Sequence, residues 1–266
     1  MTMQQIGMIL KEEKIQMLKR LGLIAAGIVA VVILVTAVEW KGGKLVSDVV
    51  IEVEPLEKDA LLITTGDIQK VIDRSFGIPL NALAVRELEV DRLERVLEEE
   101  PFILDAEAYV DAKNRVNIHV TQREPVLRVI DNNGLNYYLD VNGVKMPLSA
   151  HFSARVLVAT GNVPPHTPEF LERKKNTLKD VFELAAIIRE DELLMAMIEQ
   201  IHVSNRGELT LVAKMGPTKI LFGQMNEVDD KLKRLRIFYD EVTDIEGWRK
   251  YRAVDLRYKG QVVGVK

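Results

Sequence analysis

The sequence predicts an α+β chain: one N-terminal transmembrane helix, then a β-α-α-β-β domain, then a C-terminal mixed β-sheet domain with helices. Three observations carry this. A single charge-free apolar run near the N-terminus explains a mean hydropathy of +0.01 in a chain that is 29% charged. Over residues 49–124 the apolar spacing changes from strand-like to helical and back to strand-like, and after residue 125 short apolar runs alternate with Gly, Asn and Pro turns.

The first 20 residues read as a cytoplasmic tail and residues 21–39 as the membrane helix. Residues 21–38, LGLIAAGIVAVVILVTAV, contain no charge and no Pro. At about 1.5 Å per residue this run spans roughly 27 Å, close to the hydrocarbon thickness of a bilayer. Lys11, Lys14, Lys19 and Arg20 precede it and Trp40 follows it, which puts the N-terminus in the cytoplasm and an aromatic at the far interface. A cleaved signal peptide is the competing reading, with Val35 and Ala37 at the small-residue positions. The apolar core is longer than the usual ~7–15 residues and lacks a helix breaker before the cut, which favours the uncleaved anchor. Gly22, Ala26 and Ala30 fall four apart and stack on one helix face, either as a helix–helix seam or as ordinary membrane-helix composition.

Beyond the Gly-rich linker of 41–48, residues 49–53 alternate as a strand and 61–63 suggest a second strand segment. Thr64 to Asp67 resembles a capping box, and Ile68, Val71, Ile72 and Phe76 then fall at helical spacing up to Gly77. Leu88, Leu93, Val96 and Leu97 supply the stripe of a second helix that Pro101 ends. Strands over 102–110 and 115–121 follow, joined by a turn at 111–114. Further strands are expected over 127–130, 136–141 and 155–159, with one set off by Asn142-Gly143. A helix over 169–199 breaks near 190–191. Strands near 198–204, 208–214 and 218–222, a helix over 228–242, and a strand or strand pair over 253–263 complete the chain.

Composition excludes several functions. With no Cys and four scattered His, the chain has no disulfide framework, cysteine nucleophile, thiolate zinc site or iron–sulfur cluster. Residues 1–44 hold six Lys/Arg against three Asp/Glu, a net of +3, whereas residues 45–266 hold 30 against 37, a net of −7. An acidic external part argues against nucleic-acid binding. There is no Gly-rich phosphate loop, G-x-S-x-G, H-E-x-x-H or S-x-x-K. His119 sits in a strand pattern and faces solvent or a neighbour, and His151, His166 and His202 lack a partner at metal-ligand spacing. Glu98-Glu99-Glu100 and Asp229-Asp230 read as solvated surface. No catalytic, cofactor or metal residue is proposed.

The β-α-α-β-β order, Gly77-Ile78-Pro79-Leu80, Glu100-Pro101-Phe102, the run Asp105 to Val110 and Arg123-Glu124-Pro125-Val126 resemble the POTRA domain of the bacterial FtsQ/DivIB division-protein family. Phe102-Ile103 and 111–114 depart from the family's aromatic-Val pair and Trp-Pro turn, as in a divergent branch. The ending, Asp255-Leu256-Arg257-Tyr258 before a last strand, is similar to the family's terminus. The resemblance implies a POTRA-like domain at 49–124 and a C-terminal β domain at 125–266. It also implies a non-catalytic, single-pass scaffold of the cell inner membrane at the division septum. Its implied partners are FtsB and FtsL, the septal peptidoglycan synthase FtsW/FtsI, and upstream FtsK.

An edge strand offers unpaired N–H and C=O groups to a partner. The resemblance places FtsB on the terminal strand, so Val254, Leu256, Arg257, Tyr258, Lys259, Gly260, Gln261, Val262 and Val263 are the candidate partner-binding residues. The plainer alternative makes Val254, Leu256 and Val262 core, and Asp255 and Arg257 a surface pair. A membrane-anchored enzyme acting on the cell envelope remains the other functional reading. An outer-membrane translocase is disfavoured by the helical anchor and the lack of barrel strands.

Overall fold

The computed structural model describes residues 26–33, 36, 43–215, 219–242 and 250–266. Of the expected membrane span, residues 26–33 and 36 are helical, and Ile28, Val29, Val31, Val32 and Ile33 are each more than half exposed. Ala26 and Ala30 are exposed one turn apart, while Gly22 and most of the remaining span lie outside the described residues. Among the described residues no helix is long and apolar enough to cross a membrane.

The described chain divides into two compact units. One holds the residues up to Glu52 with Ile68–Leu97 and Glu107–His119, and the other holds Val53–Asp67, Glu98–Ala106 and the residues from Val120 onward. Three strands, β1 (Asp48–Glu54), β2 (Ile103–Val110) and β3 (Arg115–Gln122), form a sheet in the order β1-β3-β2. Two helices accompany them, α1 (Thr65–Phe76) and α2 (Val90–Glu98). Within the first unit Ile68, Val71 and Ile72 of α1, Leu93 and Leu97 of α2, and Val116 and Ile118 of β3 are buried. Each full burial of this kind contributes about 1.5–3 kcal/mol.

α1 begins with the expected capping box. The Asp67 N–H donates to Thr64 Oγ1 at 3.3 Å, and the Thr64 N–H donates to Asp67 Oδ2 at 3.2 Å. The helix ends at Gly77, whose φ of +72° is the left-handed stop that glycine adopts without strain. Residues 61–63 are not a strand. Leu62 and Ile63 are buried in irregular chain, and the Gln122 side chain takes a neighbouring strand's place: its Oε1 accepts the Leu62 N–H at 2.6 Å and its Nε2 donates to Glu54 O at 2.8 Å.

The second unit contains a nine-stranded sheet. Its strands are β4 (Pro125–Asp131), β5 (Asn136–Asp140), β6 (Lys145–Met146), β7 (Leu157–Gly161), β8 (Ile198–Val203), β9 (Leu209–Ala213), β10 (Lys219–Gly223), β11 (Ala253–Asp255) and β12 (Val263–Val265). They lie in the order β12-β11-β10-β9-β8-β7-β4-β5-β6. Three pairs are parallel: β4/β7 is connected through β5, β6 and the loop after them, whereas β7/β8 and β10/β11 have the helical crossovers usual for parallel neighbours. These are α3 (Thr177–Arg189) with α4 (Glu192–Met197) in the first case and α5 (Val228–Ile237) in the second. The helix expected over 169–199 is thus shorter. Asn176 Oδ1 caps its start by accepting the Leu178 N–H at 2.8 Å, Asp191 restarts it, and Ile198 already belongs to β8. The helix expected over 228–242 is helical to its end: α5 runs to Ile237 and a wider π-helical turn continues it over Phe238–Val242. Leu178, Val181, Leu184 and Ile188 of α3 and Leu235 of α5 share one core with Leu127, Val129, Ile201, Leu211, Ile220, Val254 and Leu256 of the sheet.

Four hairpin turns repeat one construction. The side-chain oxygens of Asp111, Asp131, Asp140 and Ser204 each accept the N–H groups two and four residues ahead.

Candidate functional site

The chain's last strands make one edge of the large sheet. β11 lies between β10, its parallel neighbour, and β12, which pairs with it antiparallel through Ala253↔Val265, Val254↔Gly264 and Asp255↔Val263. The edge is therefore β12 and not β11. The Leu256 N–H donates to Leu221 O at 3.0 Å, so by alternation Val254 and Leu256 direct main-chain groups toward β10, and Ala253 and Asp255 toward β12. Opposite them, Val263 and Val265 are engaged by β11, and Gly264 turns its main-chain groups to the open side.

Arg234 of α5 holds the loop between these strands. It is 9% exposed and donates to three main-chain carbonyls of that loop: Leu256 O at 3.3 Å, Tyr258 O at 3.0 Å, and Gln261 O in a short contact. Asp230, one turn earlier on α5, accepts from its Nε at 2.8 Å and compensates the charge. Next to it, buried Lys231 donates to Gln224 O at 2.8 Å and Asn226 Oδ1 at 2.7 Å. Burial, reinforced by Arg234, pushes the Lys231 ammonium below its ordinary pKa.

Arg257 leaves the core and is aimed by its neighbours. Its Nε and Nη2 both donate to the Asp255 carboxylate, at 3.0 and 2.7 Å, and Glu208 lies 3.9 Å away. The hydrogen bonds from Arg257 hold the Asp255 carboxyl below its usual value, and the same pairing raises the guanidinium. The arginine's stem lies over Gly223, where an added Cβ would sit 2.9 Å from its Cγ, so only glycine leaves that path open. Lys259 pairs with Glu227 at 3.0 Å, which raises the ammonium's pKa.

A cleft of about 270 Å³ opens beside the edge, lined by Arg234, Ile237, Phe238, Tyr251, Val262 and Gly264. Phe238 and Tyr251 meet edge to face at 5.8 Å, and the Tyr251 ring lies on Gly264, where a Cβ would come within 2.5 Å of it.

The expected residues divide into two sets. Val254 and Leu256 are fully buried in the core, and Val262 packs partly against it. Arg257, Lys259, Gly260 and Gln261 are exposed, Tyr258 is 55% exposed, and Val263 opens the edge strand. Sequence reading missed Arg234, Tyr251, Gly264 and Val265. Arg234 comes from a helix well before the terminal strands, Tyr251 falls just before the expected strand, and the last two fell just past it.

The histidines find partners that their sequence spacing did not suggest. His151 Nε2 lies 2.7 Å from Asp67 Oδ2, and His119 Nδ1 lies 3.3 Å from Glu52 Oε2. His166 Nε2 lies 3.0 Å from Gly143 O, and His202 Nδ1 lies 3.0 Å from Thr160 Oγ1. Among the described residues no group of three His, Asp or Glu side chains is placed to hold a metal ion.

Two families match the chain: residues 124–265 match the one described as FtsQ/DivIB, C-terminal related, and residues 45–121 match the POTRA-like domain. No curated protein matches it.

Proposed function

This chain belongs to the FtsQ/DivIB family, and from that premise we propose that it is a non-catalytic bitopic scaffold of the bacterial division machinery, held in the inner membrane by residues 21–39. Its N-terminus is cytoplasmic, and the POTRA-like domain of residues 49–124 and the sheet domain of 125–266 lie outside. There the sheet domain binds FtsB and FtsL and links them to upstream FtsK and to septal peptidoglycan synthesis by FtsW/FtsI.

The observation that supports this most is the free edge of β12 beside a fixed Arg257 and an exposed Tyr258. A strand added from FtsB would bond to outward main-chain groups, while Tyr and Arg are side chains that concentrate binding energy at interfaces. Val262 shares the outward parity of Gly264, so proline there blocks an added strand and leaves the β11 pairing intact. Purification of the full chain from membranes should bring down FtsB and FtsL. The variants Tyr258→Asp and Val262→Pro should abolish that capture while their thermal unfolding stays close to wild type. Undiminished capture by both variants excludes the edge as the binding site.

A further inference from the structure

The outer face of the three-stranded sheet carries a second recognition surface. On β1 the exposed Asp48, Val50 and Glu52 alternate with half-buried Val49 and Ile51, and on β2 the exposed Glu107 and Tyr109 alternate with half-buried Ala108 and Val110. On β3 Asn117 and His119 alternate with buried Val116 and Ile118. Tyr109 is 52% exposed and Val50 39% exposed. The Tyr109 and His119 rings are nearly parallel, 13° apart in plane with centroids at 6.0 Å, and Glu52 reaches His119 from the other side at 3.3 Å. A row of Tyr109, His119 and Glu52 thus crosses the three strands on their open side.

Charge decides what such a face can take. Arg115 contributes the fixed cation here, and Asp111 binds it at 2.8 Å. Asp48, Glu52 and Glu107 therefore leave the surface negative around its aromatic pair. An anionic partner would be repelled, and an apolar one would cover carboxylates without pairing them. A Lys or Arg side chain fits both features, since its charge can lie over the Tyr109 ring and face a carboxylate.

We propose that this face docks a cationic, extended segment of a partner protein, with the stacked Tyr109–His119 pair as its anchor. The site is independent of the β12 edge, so each can fail without the other.

Fluorescence anisotropy with a labelled decapeptide of alternating Lys and Ser, titrated with the purified full chain, tests this. Binding should weaken at least about fivefold in Tyr109→Ser and be restored in Tyr109→Phe, as loss and return of a ring under a cation require. It should also weaken in the double variant Glu52→Gln/Glu107→Gln and stay unchanged in Glu172→Gln, an exposed carboxylate of the second unit, and in Val262→Pro. Indifference to Tyr109→Ser, equal loss in Glu172→Gln, or equal binding of a Glu/Ser peptide each overturns the proposal. So does self-association of the chain through this face in place of peptide binding.

Discussion

Asp255 shows how one residue does two jobs beside the terminal edge. Its main chain belongs to the ladder with β12, while its buried carboxylate orients Arg257 on the surface. The fold favours the charged carboxylate, so its contribution is complete above the ordinary carboxyl range. It is lost as pH falls through the lowered native value. Replacing it with Asn should cost about 2 kcal/mol at pH 7, the scale of hydrogen bonds to a charged group. Urea unfolding of the two proteins should show that difference shrinking below about pH 4, where the unfolded carboxyl begins to hold its proton. A difference that persists unchanged to pH 2 would mean that the carboxylate's charge is not what stabilises the pair. The Asp-Leu-Arg-Tyr string is visible in the sequence, but Leu256, expected among the partner-binding residues, is fully buried and belongs to the core, as the plainer alternative had it. The sequence offers no sign that Gly223 clears the arginine's path, because that approach joins residues 34 positions apart.

At the scale of elements, hairpins and helix caps were legible because their causes are local. Asp140-Val141-Asn142-Gly143 carries its own turn, and Thr64 with Asp67 its own cap. The order of strands was not, since whether 253–255 is an edge depends on what pairs beside it, and only the return of the last residues as β12 makes it internal. The apparent strand at 61–63 failed for a similar reason: a glutamine side chain from elsewhere satisfies its backbone. Arg234 was equally hidden, because guanidinium-to-carbonyl bonds leave no trace in side-chain patterning. Without it Leu256 O and Gln261 O lose the donor it supplies, and Tyr258 O keeps the Gln261 N–H at 3.3 Å. Arg234→Ala should cost about 3 kcal/mol in global stability. Hydrogen exchange should speed up at Gly260 to Val262 before it changes in β8 and β9, and uniform acceleration across the sheet would refute a local clasp.

For the whole molecule, the charge division at residue 44 separates a +3 N-terminal portion from a −7 portion that holds both matched domains. The anchor reading makes that division a membrane boundary. The protein isolated from membranes should retain the mass of all 266 residues, 30.1 kDa, and remain in the bilayer fraction after alkaline washing. Loss of the first 37 residues would convert the anchor into a signal peptide. β12 extends over only three residues, of which one points its main-chain groups outward. So short a template gives any added strand a brief residence time, and a random extended peptide would dissociate before others could stack on it. On the proposed edge-binding reading, lifetime comes from the side chains around the edge, so many passing segments are tested quickly and only one that also satisfies Arg257, Tyr258 and the neighbouring cleft is retained.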